Sequence, residues 1–307
     1  MRKIFFIAAL TLSLGCFTAH AAEKPKPHCT VVIASDLHFD MPPETDQYHH
    51  VVAINRLGET KKIDGVIIAG DIFDKAAHQI QSLYRQRWDK GGGERQIHYD
   101  VYPTFGNHDI SPENGRPAEN KRGFELNMAL LDSVLDSKLR LGEIKNIDRH
   151  SRSYSFDIGD VHFVDGQLAA GDTTYAPSNL DWIERDLKQY ASDGRPVVYI
   201  QHYGFDSWAQ EWWPQKNRDR LFEILKQYNL AAFFVGHTHS ASLQYYRGCP
   251  VVQVNNAWKD DDGRASFVLL EIDGNRSCVT NYEVMDGNGT VVPERAVIEF
   301  TSPILLR

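Results

Sequence analysis

Five short stretches of the 307-residue chain carry side chains able to hold a metal ion or move a proton. They are Asp36-Leu37-His38, Gly70-Asp71-Ile72-Phe73-Asp74, Gly106-Asn107-His108-Asp109, the lone His202 of IQHYG, and Gly236-His237-Thr238-His239. Imidazoles, carboxylates and one amide oxygen make the nitrogen and oxygen ligand set that suits borderline transition metals such as Mn, Fe, Zn or Co. No cysteine belongs to the set. Residues i and i+2 of an extended chain share a face, so Asp36/His38 and His237/His239 are each expected to aim both side chains one way from a strand end. Two such pairs suit a site for two metals. Taken singly, each motif has an ordinary reading: D-x-H recurs by accident, a lone histidine is commonly a satisfied polar residue, and G-N-H-D is good turn sequence. All five in order, with their glycines, are too many to arise by accident.

Something must bring them together. Short apolar runs bounded by polar residues predict buried strands at TVVIAS (30–35), GVIIA (65–69), VYPTF (101–105), PVVYIQ (196–201) and AAFFVG (231–236). Four of the motifs directly follow one of these runs and His202 caps another, and strand ends are where an α/β scaffold presents reactive groups. Between the strands, apolar positions at helical spacing predict helices over 46–57, 76–88, 124–138, 178–191 and 215–228. After residue 240 strand follows strand: SLQYYR, VVQVNN, SFVLLEI, SCVTNYEV and AVIEF. Two sheets with helices outside them bury these faces most economically. KGGGERQ (90–96) lacks the Walker spacing and its lysine, so it reads as a flexible loop and not a phosphate cradle.

Composition narrows the setting. With 42% hydrophobic and 24% charged residues the chain is of ordinary globular type, which excludes a disordered polymer. Residues 1–21 join Arg2 and Lys3 to an apolar run and the small-x-small sequence Ala19-His20-Ala21, which predicts a cleaved signal peptide, a mature chain from Ala22, and a secreted or periplasmic protein. SLGC around Cys16 offers lipidation as an alternative, although Ser13 stands where a larger aliphatic residue is usual. Residues 22–307 read as one domain with no membrane span. The net charge of −8 becomes −10 when Arg2 and Lys3 leave with the leader, so no general attraction to nucleic acid or anionic lipid is expected. Outside the leader, Cys29, Cys249 and Cys278 allow one disulfide and a spare thiol, or three unpaired thiols.

The ordered set D-x-H, GD-x-x-D, GNH-D, H, GH-x-H resembles the signature of the calcineurin-like metallophosphoesterase superfamily. The resemblance implies a four-layer α/β/β/α sandwich and a dinuclear metal centre. Carried onto this sequence, it implies one metal held by Asp36, His38 and His239, a second by Asn107, His202 and His237, and Asp71 bridging the two. Such a pair lowers the pKa of a shared water, and the resulting bridging hydroxide would attack a phosphodiester or phosphomonoester in line. In the family His108 would stabilise the phosphoryl group or protonate the leaving alkoxide, with Asp74 holding the imidazole oriented and charged. Purple acid phosphatases lack the histidine of D-x-H, so this chain departs from that branch. Asp109 is expected just behind the ligands, without a defined role.

Specificity is less legible. Trp208, Trp212 and Trp213 in FDSWAQEWWPQ, just beyond His202, could stack on a base, sugar or choline-like group, or could anchor the loop before Pro214 opens a helix. His49 and His50 read as surface residues. Arg116 and Lys121 could meet a phosphate. The expected substrate is a small or lipid-derived phosphate ester. A 5'-nucleotidase is the alternative enzyme, disfavoured because no length remains for a base-binding domain, and an inactive scaffold of the same fold is the alternative outside catalysis.

Overall fold

The computed structural model describes residues 27–39, 48–111, 121–257, 265–274 and 276–293, with the backbone of 301–303. The leader with Cys16, Arg116, the side chain of Trp208 and the expected strand at 296–300 lie outside them. The chain opens with three parallel strands, β1 (His28–Ala34), β2 (Gly65–Ala69) and β3 (Val101–Thr104), joined through α1 (Tyr48–Leu57) and α2 (His78–Trp88). Every residue of β2 and β3 is buried, which is why these strands read as unbroken apolar runs and not as alternation. A single turn, α3 (Asn107–Ile110), follows β3, and α4 (Lys121–Leu141) then leads away.

The second sheet comes next. It holds β4 (Asn146–Ile147), β5 (Tyr154–Ile158) and β6 (Val161–Asp165) in antiparallel order. After α5 (Leu180–Tyr190) come β7 (Pro196–Ile200), α6 (Ser207–Trp212), α7 (Gln215–Leu225), β8 (Asn229–Val235), β9 (Ser242–Tyr246) and β10 (Cys249–Gln253). Its strand order is β4-β5-β6-β7-β8-β10-β9. The chain then returns to the first sheet with β11 (Ala265–Asp273), β12 (Arg276–Val284), β13 (Val291–Pro293) and β14 (Thr301–Pro303). That sheet runs β13-β12-β11-β1-β2-β3, with β14 also on β12. Two mixed seven-stranded sheets flanked by helices form the α/β sandwich expected from the sequence.

Aromatic and polar contacts hold the sheets face to face. Tyr102 of β3 stacks across the sheets on Phe156 of β5 at 3.8 Å, and Phe156 is backed within its own sheet by its cross-strand partner Phe163 at 5.0 Å. Each such pair stabilises by about 1 kcal/mol beyond the area it buries. Tyr154 Oη donates to Pro103 O at 3.2 Å, and Thr104 donates to the buried Asp165. The β5–β6 hairpin has no counterpart among the expected strands. Its signal was the Gly159-Asp160 turn between two runs of β-rich residues, with Gly159 at φ 58°.

Three expectations are corrected or resolved by packing. His50 is not a surface residue: it is fully buried, its Nε2 lies 3.2 Å from Ser266 O, and burial lowers its pKa to about 4. Its ring packs edge-on against Phe267, so the inner face of α1 reaches it, while His49 is half-buried beside Tyr48. Lys121 is exposed and pairs with Glu125 on α4. No disulfide joins Cys29, Cys249 and Cys278, the first buried and the others half-buried.

Candidate metal centre

All seven expected ligands meet where the ends of β1, β2 and β3 face those of β7 and β8. Asp36 and His38 follow β1, Asp71 follows β2, Asn107 follows β3, His202 follows β7, and His237 and His239 follow β8. One group brings donor atoms of Asp36, His38 and His239 within 4.8 Å of one another, and a second does so for Asp71, His202 and His237. A third group, His38, Asp71 and His108, overlaps both.

The geometry is that of side chains converging on shared points. His38 Nε2 and His239 Nε2 lie 3.0 Å apart, and Asp36 Oδ1 stands 3.5 Å from the second and 3.9 Å from the first. His202 Nε2 lies 3.0 Å from Asn107 Oδ1 and 3.2 Å from Asp71 Oδ2. The same Asp71 oxygen lies 3.8 Å from His38 Nε2, so it sits between the two groups. Separations of this size are spanned by ligands held about 2.0–2.2 Å from one ion.

The spare donor atoms of these ligands are tied to the protein. Asp71 Oδ1 accepts from His108 N at 2.9 Å, leaving Oδ2 for the histidines. Asp36 Oδ2 accepts from Ser35 Oγ, and His237 N is shared between Oδ2 at 3.0 Å and Oδ1 at 3.2 Å, with Oδ1 the oxygen turned to the histidines. His202 Nδ1 donates to Ala69 O at 2.9 Å, which directs Nε2 inward. Nε2 of His237 is buried with no hydrogen-bond partner, a costly state for an imidazole that a Lewis acid would relieve. Burial, and then His202, lower the His237 pKa to about 4, so that lone pair is available at neutral pH. The donor set therefore fits borderline divalent cations.

Charges within the cluster are tightly opposed. Burial works against ionising Asp36 and Asp71, but the surrounding imidazoles hold both below the ordinary carboxylate range. Burial also disfavours the His202 cation, and Asp71 and Asp36 outweigh it to raise the pKa to about 9. For His108 burial again opposes charge, and Asp74 and Asp71 prevail, raising it to about 9. Nδ1 of His108 stands 3.1 Å from Asp74 Oδ1, and that oxygen lies 3.6 Å from His38 Nδ1. Asp74 thus touches both a candidate ligand and the candidate acid, and His108 and His38 hold it well below the usual range.

The means of convergence differs from expectation. The D-x-H and H-x-H pairs are not extended: φ is 51° at Asp36, 44° at His38, 85° at His237 and 48° at His239, with 50° at Asp71. Side-chain alternation along a strand therefore does not aim them. Left-handed turns at the strand ends do, and such turns in non-glycine residues are sparsely populated and collect at functional sites. Backbone bonds lock them in register, with Asp36 N donating to Gly70 O at 2.9 Å and His38 N to Asp71 O at 3.0 Å. Close approach explains two glycines. A methyl at Gly236 would meet Ala69 O at 2.6 Å and Asp36 Oδ2 at 2.8 Å, and one at Gly106 would meet Asp71 N at 2.6 Å.

Several residues escaped the sequence reading. Asp109 is fully buried and its carboxylate accepts from Gly106 N at 2.7 Å, Phe73 N at 2.8 Å and Ile72 N at 3.1 Å. It staples the Asn107 turn to the Asp71 loop, which supplies the role that was open. Gln167, after β6, accepts from Phe105 N at 2.9 Å through Oε1, and its carbonyl accepts from His202 N at 2.9 Å. Only recognition of β6 would have marked it. Among the tryptophans, Trp213 does not reach the site: it is fully buried, its Nε1 donates to Ala170 O at 2.8 Å, and it anchors the loop. Trp212 is half-exposed with its ring 5.5 Å from that of His237.

A sequence profile for the family described as calcineurin-like phosphoesterase matches residues 29–241. Among solved structures the fold is similar to a dimetal phosphatase from Danio rerio, at 12% identity and a TM-score of 0.58, over 91% of this chain and 100% of that one. It is also similar to GAP50, the anchor in the inner membrane complex of Plasmodium, at 10% identity and a TM-score of 0.54, over 91% of this chain and 90% of that one. No curated protein matches. At these identities the likenesses establish the fold alone, and because that fold serves both a phosphatase and an anchor, function has to be argued from the side chains.

Proposed function

We infer that this chain, which belongs to the calcineurin-like phosphoesterase family, is a metal-dependent hydrolase of a small phosphodiester or phosphomonoester, working through two cations. The observation that carries the reading is the convergence of Asp36, His38 and His239, and of Asp71, His202 and His237, on either side of Asp71 Oδ2. Asn107 completes the second group through Oδ1, and no expected ligand position is vacated, as it would be in a scaffold that had lost its chemistry. Mn, Fe, Zn or Co bound there would supply an activated water near neutral pH and draw the phosphoryl oxygens into place.

The chain's own groups do the rest. Asp71 is held through Oδ1 by His108 N, and Asp36 by Ser35 Oγ and His237 N, so both carboxylates are set without reorganisation. His108 carries a proton at neutral pH and donates it to the leaving oxygen or hydrogen-bonds the phosphoryl group. Asp74, in direct contact with Nδ1, keeps the imidazole charged and oriented even when cations offset the charge of Asp71, so the proton given up is the one on Nε2. Residues 22–307 act as one catalytic unit. Among the described residues no helix is long and apolar enough to cross a membrane.

Metal analysis followed by release of p-nitrophenolate from p-nitrophenyl phosphate and bis-p-nitrophenyl phosphate, after loading with each of the four metals, tests this. Bound metal with turnover of at least one ester is expected. Full loading with no turnover of either would overturn the enzyme reading in favour of a scaffold.

A further inference from the structure

The side of the centre formed by His237 carries two rings that the chemistry above does not use. Tyr203 follows the candidate ligand His202 directly, is 7% exposed, and has its ring 4.9 Å from that of His237, inclined at 62°. Trp212 approaches the same imidazole at 5.5 Å and 66°, and lies 5.7 Å from Tyr203. Unlike Tyr203, Trp212 leaves 52% of its surface open.

This exposure is built in. Asp206 caps the short α6 by accepting from Ala209 N at 2.8 Å, and Trp213, the next residue, is fixed in the core by its bond to Ala170 O. With Trp213 held inward, Trp212 at the end of α6 is held outward, beside the centre, with little freedom to lose on binding. Tyr245, a large exposed aromatic on the edge strand β9, has no candidate ligand against it among the described contacts. An ester whose phosphoryl group sits among the ligands must carry its substituent out past one wall of the site. On the His237 side that wall is a buried tyrosine floor and a preset indole, which suits a planar π-system.

We propose that Tyr203 and Trp212 form a subsite for a planar aromatic substituent of the phosphate ester, a nucleobase or aryl group, and that they set specificity for it. The proposal rests on the phosphoesterase reading and narrows its substrate class. Turnover of phenyl 4-nitrophenyl phosphate is compared with that of methyl 4-nitrophenyl phosphate, which share a leaving group and differ only in the substituent. A preference of about two- to tenfold in kcat/KM for the phenyl ester is expected, carried by KM, in keeping with one aromatic contact. Trp212→Ala removes the preference, Trp212→Phe restores part of it, and Tyr245→Ala keeps the wild-type ratio. An unchanged ratio in Trp212→Ala overturns the proposal.

Calorimetric binding of phenylphosphonate, cyclohexylphosphonate and methylphosphonate to the metal-loaded protein separates this from failure of the parent reading. Tighter phenylphosphonate binding that depends on Trp212 supports the subsite even if neither ester is hydrolysed. Equal affinity for the phenyl and cyclohexyl compounds overturns it, since apolar burial without stacking would then explain the contact.

Discussion

His237 offers the most direct test of the ligand set, because its buried Nε2 has no protein partner to lose. His237→Ala is expected to lower bound metal toward one equivalent per chain and to reduce turnover by about a hundredfold or more, measured by elemental analysis and ester hydrolysis. His108 and Asp74 call for a different experiment. If His108 protonates the leaving group, His108→Ala and Asp74→Asn lose about 10²–10⁴ in rate with alkyl esters and far less with 4-nitrophenyl esters, whose leaving group needs no proton. An equal loss with both substrates would assign His108 to phosphoryl stabilisation. Asp109 acts through others: Asp109→Ala leaves the N–H groups of Gly106, Ile72 and Phe73 without their acceptor, costing about 3 kcal/mol by urea denaturation.

Elements matter through how they end and what they lean on. The strand ends β1, β2 and β8 each turn into the left-handed region at a candidate ligand, and Gly236 lets β8 pass within contact of Asp36. Away from the centre, β5, β6 and α5 are tied by a buried histidine. Nδ1 of His162 lies 2.7 Å from Asp157 Oδ1 and its Nε2 3.0 Å from Asp186 Oδ2, while Ser155 and Asn146 also donate to Asp186. Burial opposes the His162 cation, yet the two carboxylates raise its pKa above 6.5. Because the folded pKa is the higher, this stabilisation is fully present below about pH 6.5 and is lost as pH rises through the folded value. His162→Asn, which leaves the buried Asp186 without a cation while Asp157 keeps Arg195 and Lys145, should cost about 3 kcal/mol at pH 6. In thermal melts, its stability should fall less than that of the native chain between neutral and alkaline pH.

The centre joins two halves of the molecule, since Asp36, Asp71 and Asn107 come from one sheet and His202, His237 and His239 from the other. Cations held there would cross-link the sandwich, and a chelator should act as a destabilant. At free metal a hundredfold above the dissociation constant, linkage contributes about 2.7 kcal/mol per site, which for a chain of this size moves the melting temperature by roughly 4–5 °C. A melting temperature indifferent to chelator and to added metal would contradict cation binding across the sheets.

The residue types and their order were enough to mark the five motifs, the paired sheets and most elements, because apolar runs and the turns that end them are local properties of the chain, while the seven candidate ligands and the His108–Asp74 pair were named through the family resemblance those motifs carry. Contacts between distant segments decided the rest. His38 and His239 are some two hundred residues apart in sequence, and only the packed sandwich sets their nitrogens 3.0 Å from each other. Neighbouring Trp212 and Trp213 look alike in sequence, but the chain leaving the end of α6 sends Trp213 into the core and leaves Trp212 half-exposed beside the centre. His50 was hidden for the same reason: burial is a property of what packs over a residue, and here Phe267 and Ser266 arrive from β11, far along the chain. Likewise the left-handed φ of the ligands is imposed by close approach of strand ends, which spacing along one strand cannot encode.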